Sequence, residues 1–152
     1  MKTTSLFFFV AIATIMIASP LAVNPAFAAS LGVIHPNNGD TISTKGKTVV
    51  VYDVDDLPPD REATITVTLR DKETGDEIDS KTITTEDSRV KFSNGAISVM
   101  HKTGNSNDYF HLLVHLEGEN LIPDRTFTLT LTIRDKETGD ELTTSTIELL
   151  PS

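Results

Sequence analysis

The sequence has 152 residues, no cysteine and no tryptophan, and 22 acidic against 13 basic side chains, for a formal charge of −9. That balance argues against binding nucleic acid or an anionic membrane, for which a basic face is the required footprint. Without cysteine there is neither a disulfide framework nor a lipid-modified cysteine anchor, so the fold must rest on its core, its hydrogen bonds or bound ions.

Residues 1–28 read as a secretory signal. Lys2 supplies the basic start, Leu6 to Ile17 is apolar except for Thr14, and Ala26-Phe27-Ala28 gives the small-x-small cleavage pattern. Pro20, Asn24 and Pro25 interrupt the segment before roughly 20 apolar residues accumulate, so cleavage is expected rather than retention as an anchor. The mature part, residues 29–152, has the size of one domain. It holds all 22 acidic residues and 12 of the 13 basic ones, a charge of 12 − 22 = −10. The expected location is extracellular or cell-surface, with no membrane insertion once the signal is removed.

Short strand candidates open the mature part at Leu31 to His35 and Thr41 to Ser43, and a longer one runs from Lys47 to Val54. The connection Leu57-Pro58-Pro59-Asp60-Arg61 is held extended or turned by its prolines. Ala63, Ile65, Val67 and Leu69 then alternate with threonines, the period of a strand buried on one side and wet on the other. Arg70 to Glu77, RDKETGDE, closes a hairpin, with Gly75 taking the positive φ of a bulged turn, and a third strand comes after it. Short candidates lie at Arg89 to Phe92 and Ala96 to His101. The whole unit then returns: a strand from Tyr109 to Glu117, the connection Leu121-Ile122-Pro123-Asp124-Arg125, alternation at Phe127, Leu129, Leu131 and Ile133, and RDKETGDE again at Arg134 to Glu141. Positions 48–83 and 112–147 share 18 identities in 36, an internal repeat at an offset of 64. Nothing in the mature part carries a helical apolar period, so the class is all-β.

Ile34-His35-Pro36-Asn37-Asn38-Gly39-Asp40-Thr41-Ile42 resembles the opening of many bacterial and archaeal immunoglobulin-like modules, where a Pro-x-x-Gly turn splits the first strand. The Asp71-x-x-Thr74-Gly75-x-x-Ile78 hairpin is similar to theirs too. The resemblance implies one Ig-like (fibronectin-III-like) antiparallel β-sandwich of about 7–9 strands over 29–152. It implies strands A at 31–42, B at 47–54, C at 62–70, C′ at 76–84, E at 109–117, F at 126–134 and G at 141–149. The repeat becomes an internal pseudo-two-fold relating B-C-C′ to E-F-G. In this topology the B-C and F-G loops share one end and the C-C′ and E-F loops the other. Arg61 is therefore expected beside the acidic turn Asp135 to Glu141, and Arg125 beside Asp71 to Glu77.

The carboxylates of the two turns, Asp71, Glu73 and Asp76 with Asp135, Glu137 and Asp140, are the oxygen-rich clusters that Ca²⁺ requires, although Lys72 and Lys136 intrude and no EF-hand spacing is present. A solvated turn is the simpler reading. His101 and His111 are candidates for Cu or Zn across a hairpin, with His35 as a further ligand. His111 and His115 alone would stand about 13 Å apart along one strand. The threonines of strands C and F should form a hydroxyl-rich face, a pattern that strand preference alone also produces. No Cys, no G-x-S-x-G and no aromatic platform argue for an enzyme. The expected function is a non-catalytic extracellular module for binding, adhesion or structural assembly, partnered by an extracellular protein, a surface component or its own copies. A metal-binding exported protein is the alternative, and no nucleic acid or resident cofactor is expected.

Overall fold

The computed structural model describes residues 29–104 and 106–152; the signal reading of residues 1–28 falls outside that range. Strict alternation sets the architecture. In β3 (Lys47–Asp55), β4 (Ala63–Asp71), β8 (Phe110–Glu117) and β9 (Phe127–Asp135) every second side chain is buried. Each strand thus offers one apolar face, and two sheets close over those faces.

The first sheet runs β1 (Ser30–His35), β3, β8, β7 (Ile97–Thr103), β6 (Arg89–Lys91). The second runs β2 (Thr41–Ile42), β10 (Glu141–Pro151), β9, β4, β5 (Glu77–Thr84). Strands A, B and E (β1, β3, β8) thus lie in one sheet and G, F, C and C′ (β10, β9, β4, β5) in the other, the immunoglobulin-type sandwich. Among the described residues ten strands form rather than the expected 7–9, because the Arg89 and Ala96 segments both pair, as β6 and β7, at the edge of the first sheet. The sandwich is also not wholly antiparallel. After the Pro36 bend β2 crosses to the second sheet and lies parallel to β10, Leu150 facing Thr41.

The core between the sheets contains Tyr52, Phe110, Phe127, Ile65, Leu69, Leu112, Leu116, Leu129, Leu131 and Ile133, each at most 1% exposed. Tyr52 brings its hydroxyl into this apolar layer without a hydrogen-bond partner among the described residues, and burial pushes that hydroxyl's pKa upward. Register places mates of the repeat face to face: Val50 opposite Val114 in the first sheet and Val67 opposite Leu131 in the second, both 64 apart.

Candidate functional site

At each RDKETGDE turn a buried aspartate organises the backbone. Asp71 Oδ1 accepts N–H bonds from Glu73 at 2.9 Å and Thr74 at 3.3 Å; Asp135 Oδ1 accepts the equivalent bonds from Glu137 at 2.9 Å and Thr138 at 3.1 Å. Gly75 and Gly139, at φ 76° and 75°, donate N–H to the carbonyls of the same aspartates at 2.8 Å. Their conformation is the left-handed one that favours glycine.

The second carboxylate oxygen reaches across to the other half of the chain. Arg61 Nε stands 2.9 Å from Asp135 Oδ2, and an Arg125 terminal nitrogen stands 2.8 Å from Asp71 Oδ2 and 3.7 Å from Glu73. The expected crossing of arginines between ends is therefore observed. Backbone bonds repeat the exchange: Lys72 N–H donates to Thr126 O and Lys136 N–H to Glu62 O, both at 3.0 Å. Lys136 Nζ also lies 2.9 Å from Glu62, and that hydrogen bond is the main reason the Glu62 carboxyl sits below its ordinary pKa.

This geometry separates the cation-ligand candidates into two kinds. Asp71 and Asp135 are 4% and 2% exposed, and both oxygens of each already have partners within the protein. Glu73, Asp76, Glu137 and Asp140 are exposed on the turn surface. His101 stands opposite Leu113, and His111 opposite Thr103, so the β7–β8 hairpin sets the two imidazoles on diagonal rather than facing positions. His101 is equally diagonal to His115. Among the described residues no three His, Cys, Asp or Glu side chains converge as a metal-binding group.

The outer face of the second sheet carries the threonines, and their hydroxyls bond one another across strands. Thr66 meets Thr82 at 2.9 Å, Thr68 meets Ser80 at 3.0 Å, Thr130 meets Thr146 at 2.9 Å and Thr132 meets Thr144 at 3.1 Å. This face is a satisfied polar ladder.

The outer face of the first sheet is different. Directly paired residues share a face, and register gives a row of His35, Val51, Leu113, His101 and Arg89, running from β1 to β6. Beside it lies Val49, His115, Val99 and Lys91 on one side, and Gly32, Asp53, His111 and Thr103 on the other. All four histidines of the chain therefore occupy one face, around half-buried Val49, Val51 and Leu113. Asp53 Oδ1 approaches His111 Nε2 at 3.4 Å, outside good hydrogen-bond geometry, and the Tyr109 ring meets His111 edge-on at 5.9 Å. Burial, followed by Arg89, Lys47 and His101, holds His115 below the ordinary histidine pKa.

Sequence reasoning weighed the histidines as ligands and missed the face. The signal was present in β8, where His111, Leu113 and His115 alternate with Phe110, Leu112, Val114 and Leu116. Period two assigns them jointly to the outer side. A second omission is Asp79. Its carboxylate on β5 accepts the Ile97 N–H of β7 at 2.8 Å and pairs with Lys81 at 2.8 Å, tying the two sheets at one edge. No periodicity connects residues 79 and 97.

No family model matches the chain, and no curated protein matches it. Among solved structures, a Bacteroides uniformis β-glucuronidase aligns at 11% identity over 80% of this chain and 12% of its own, with a TM-score of 0.40. A bacterial adhesin from Mobiluncus mulieris aligns at 8% identity over 82% of this chain and 58% of its own, TM-score 0.43. Murine CRIg aligns at 16% identity over 82% of this chain and 98% of its own, TM-score 0.40. This chain thus spans only a small part of the glucuronidase. These likenesses reach no further than the β-sandwich, which the strand order establishes independently.

Proposed function

We propose that the chain is exported with loss of residues 1–28 and acts outside the cell as a non-catalytic binding or assembly module, through the histidine-bearing face of the first sheet. The observation that carries this reading is the contrast between the two outer faces. Threonine hydroxyls of one are bonded to each other. The other leaves Val49, Val51 and Leu113 only half-buried among imidazoles, on a sheet with no layer over it among the described residues. Half-covered apolar residues inside a polar rim are the composition of a contact surface. The catalytic requirement of a nucleophile and base within reach, in a cleft that excludes water, has no counterpart on so open a face.

Hydroxyl-radical footprinting tests it, comparing the exported protein in its own culture with the purified chain at high dilution. Protection of Val51, His101 and Leu113 in culture, with the β4 and β9 threonine strands labelled alike in both states, is the expected result. Protection confined to the threonine face, or none at all, would overturn the reading.

A further inference from the structure

The identity of the partner is drawn from charge, and the inference rests on the reading just given. On the histidine face Lys47, Arg89 and Lys91 oppose Asp53, Asp55 and Glu117, three cations against three anions, so with neutral imidazoles it sums to zero. Residues 29–152 carry −10 in all; the same −10 therefore lies on the rest of the domain, with 12 − 3 = 9 basic and 22 − 3 = 19 acidic residues. Two copies meeting through any average part of that surface repel each other. Through this face they do not.

Charge on the face is also polarised. Asp53 and Asp55 lie on β3, next to the β1 edge, whereas Arg89 and Lys91 lie on β6 at the opposite edge. A two-fold lying in the plane of contact can set the basic edge of each copy over the acidic corner of the other, satisfying both ends at once in an isologous interface. Half-buried Val49, Val51 and Leu113 would form its centre. A face of five strands, about 24 Å across and at most about 26 Å along the strands, outlines about 620 Å², somewhat below the roughly 800 Å² per partner of a standard interface.

We propose that the occupant of the histidine face is a second copy of this chain, docked face to face across a two-fold axis, and that acid releases it. The imidazoles are the trigger. His35 and His101 flank the Val51–Leu113 pair within one row, Arg89 stands next to His101, Lys47, Arg89 and His101 act on His115, and Asp53 is the acid beside His111. Glu117 pairs with Lys47 at 3.2 Å. Neutral imidazoles fit an apolar contact with both donor and acceptor nitrogens available. Each imidazole that takes up a proton adds a positive charge to the face of both copies, so acid sets like charges against each other across the interface.

Sedimentation equilibrium of the purified chain tests this against Leu113→Asp and against a His101→Gln/His115→Gln double variant. The expected results are a dimer near pH 7.5, a dissociation constant at least about tenfold weaker near pH 5.5, and a smaller pH effect in the double histidine variant. Leu113→Asp should be monomeric at both pH values and keep the melting temperature that the parent chain shows when diluted to monomer. A monomer at the highest attainable concentration near pH 7.5, or a dimer indifferent to Leu113→Asp, overturns the self-docking; a dimer equally tight at both pH values overturns the acid release. Monomeric chain in solution combined with footprint protection of this face in culture would reject the second copy while leaving the binding face standing. Monomer without protection would reject both.

Discussion

The two outer faces of this sandwich are built by the same alternation and end in opposite chemical states. On the second sheet the outward positions of the central strands are mostly threonine, short side chains whose hydroxyls reach those of the neighbouring strands. On the first sheet the middle outward positions of β3 and β8 are valine, leucine and histidine, too large or too apolar to satisfy one another, with charged residues towards the strand ends. A period of two decides which residues face out but not whether their needs are met there. A face that is complete in itself supports the fold, and one that is not is available for a partner.

Beneath both faces lie the crossed arginine–aspartate ends, and here the largest effect is expected. Asp135→Ala should cost about 2–4 kcal/mol, because it orphans two turn N–H groups and removes the buried carboxylate that pairs with Arg61. Asp71→Ala should match it to within about 1 kcal/mol if the ends are equivalent, as urea denaturation would measure. Arg125→Ala should cost less, since that side chain is 32% exposed and water screens its loss. Unequal aspartate values would show that one half of the repeat carries the frame.

The faces themselves should then separate. Thr66→Val and Thr130→Val should each change stability by about 1 kcal/mol or less and leave the oligomeric state of the chain alone. An altered association would move the contact to the wrong face. His115→Gln addresses the other side through pH. The folded chain holds His115 below its ordinary pKa, so on acidification the unfolded chain takes up that proton first. Its contribution is therefore complete above about pH 6.5 and is lost as pH falls through the lower folded value. Glu62 and Glu117, also lowered, add a second loss in the carboxylate range. Melts at high dilution should show the first step flattened in His115→Gln, with the second intact.

The smallest expected effect concerns cations. The turns are closed by backbone N–H groups and arginine, so the melting temperature should stay within about 1 °C when EDTA, Ca²⁺, Zn²⁺ or Cu²⁺ is added. A rise with Ca²⁺ would return Glu73, Asp76, Glu137 and Asp140 to consideration as ligands, and one with Zn²⁺ or Cu²⁺ would do so for His101 and His111.

Much of the frame was legible because it is local or repeated. Alternation in β4 and β9 located two central strands, RDKETGDE fixed both hairpins, and the topology implied by the immunoglobulin-like resemblance led to the Arg61–Asp135 and Arg125–Asp71 crossings. The edges were less legible. Six-residue β1 and three-residue β6 are too short for a periodic signal, and the crossing of β2 to run parallel with β10 depends on a partner more than 100 residues away. The histidine face was obscured for a different reason. Its rows are assembled from five strands, with no more than two histidines on any one of them.

A dilution series of amide NMR spectra near pH 7.5 would test the functional assignment of the two faces most directly. Concentration-dependent shifts are expected at Val49, Val51, His101, Leu113 and His115, while Thr66, Thr68, Thr130 and Thr132 stay fixed. Shifts centred on the threonine strands would contradict that assignment, and spectra unchanged over the whole series would contradict docking of a second copy on the histidine face.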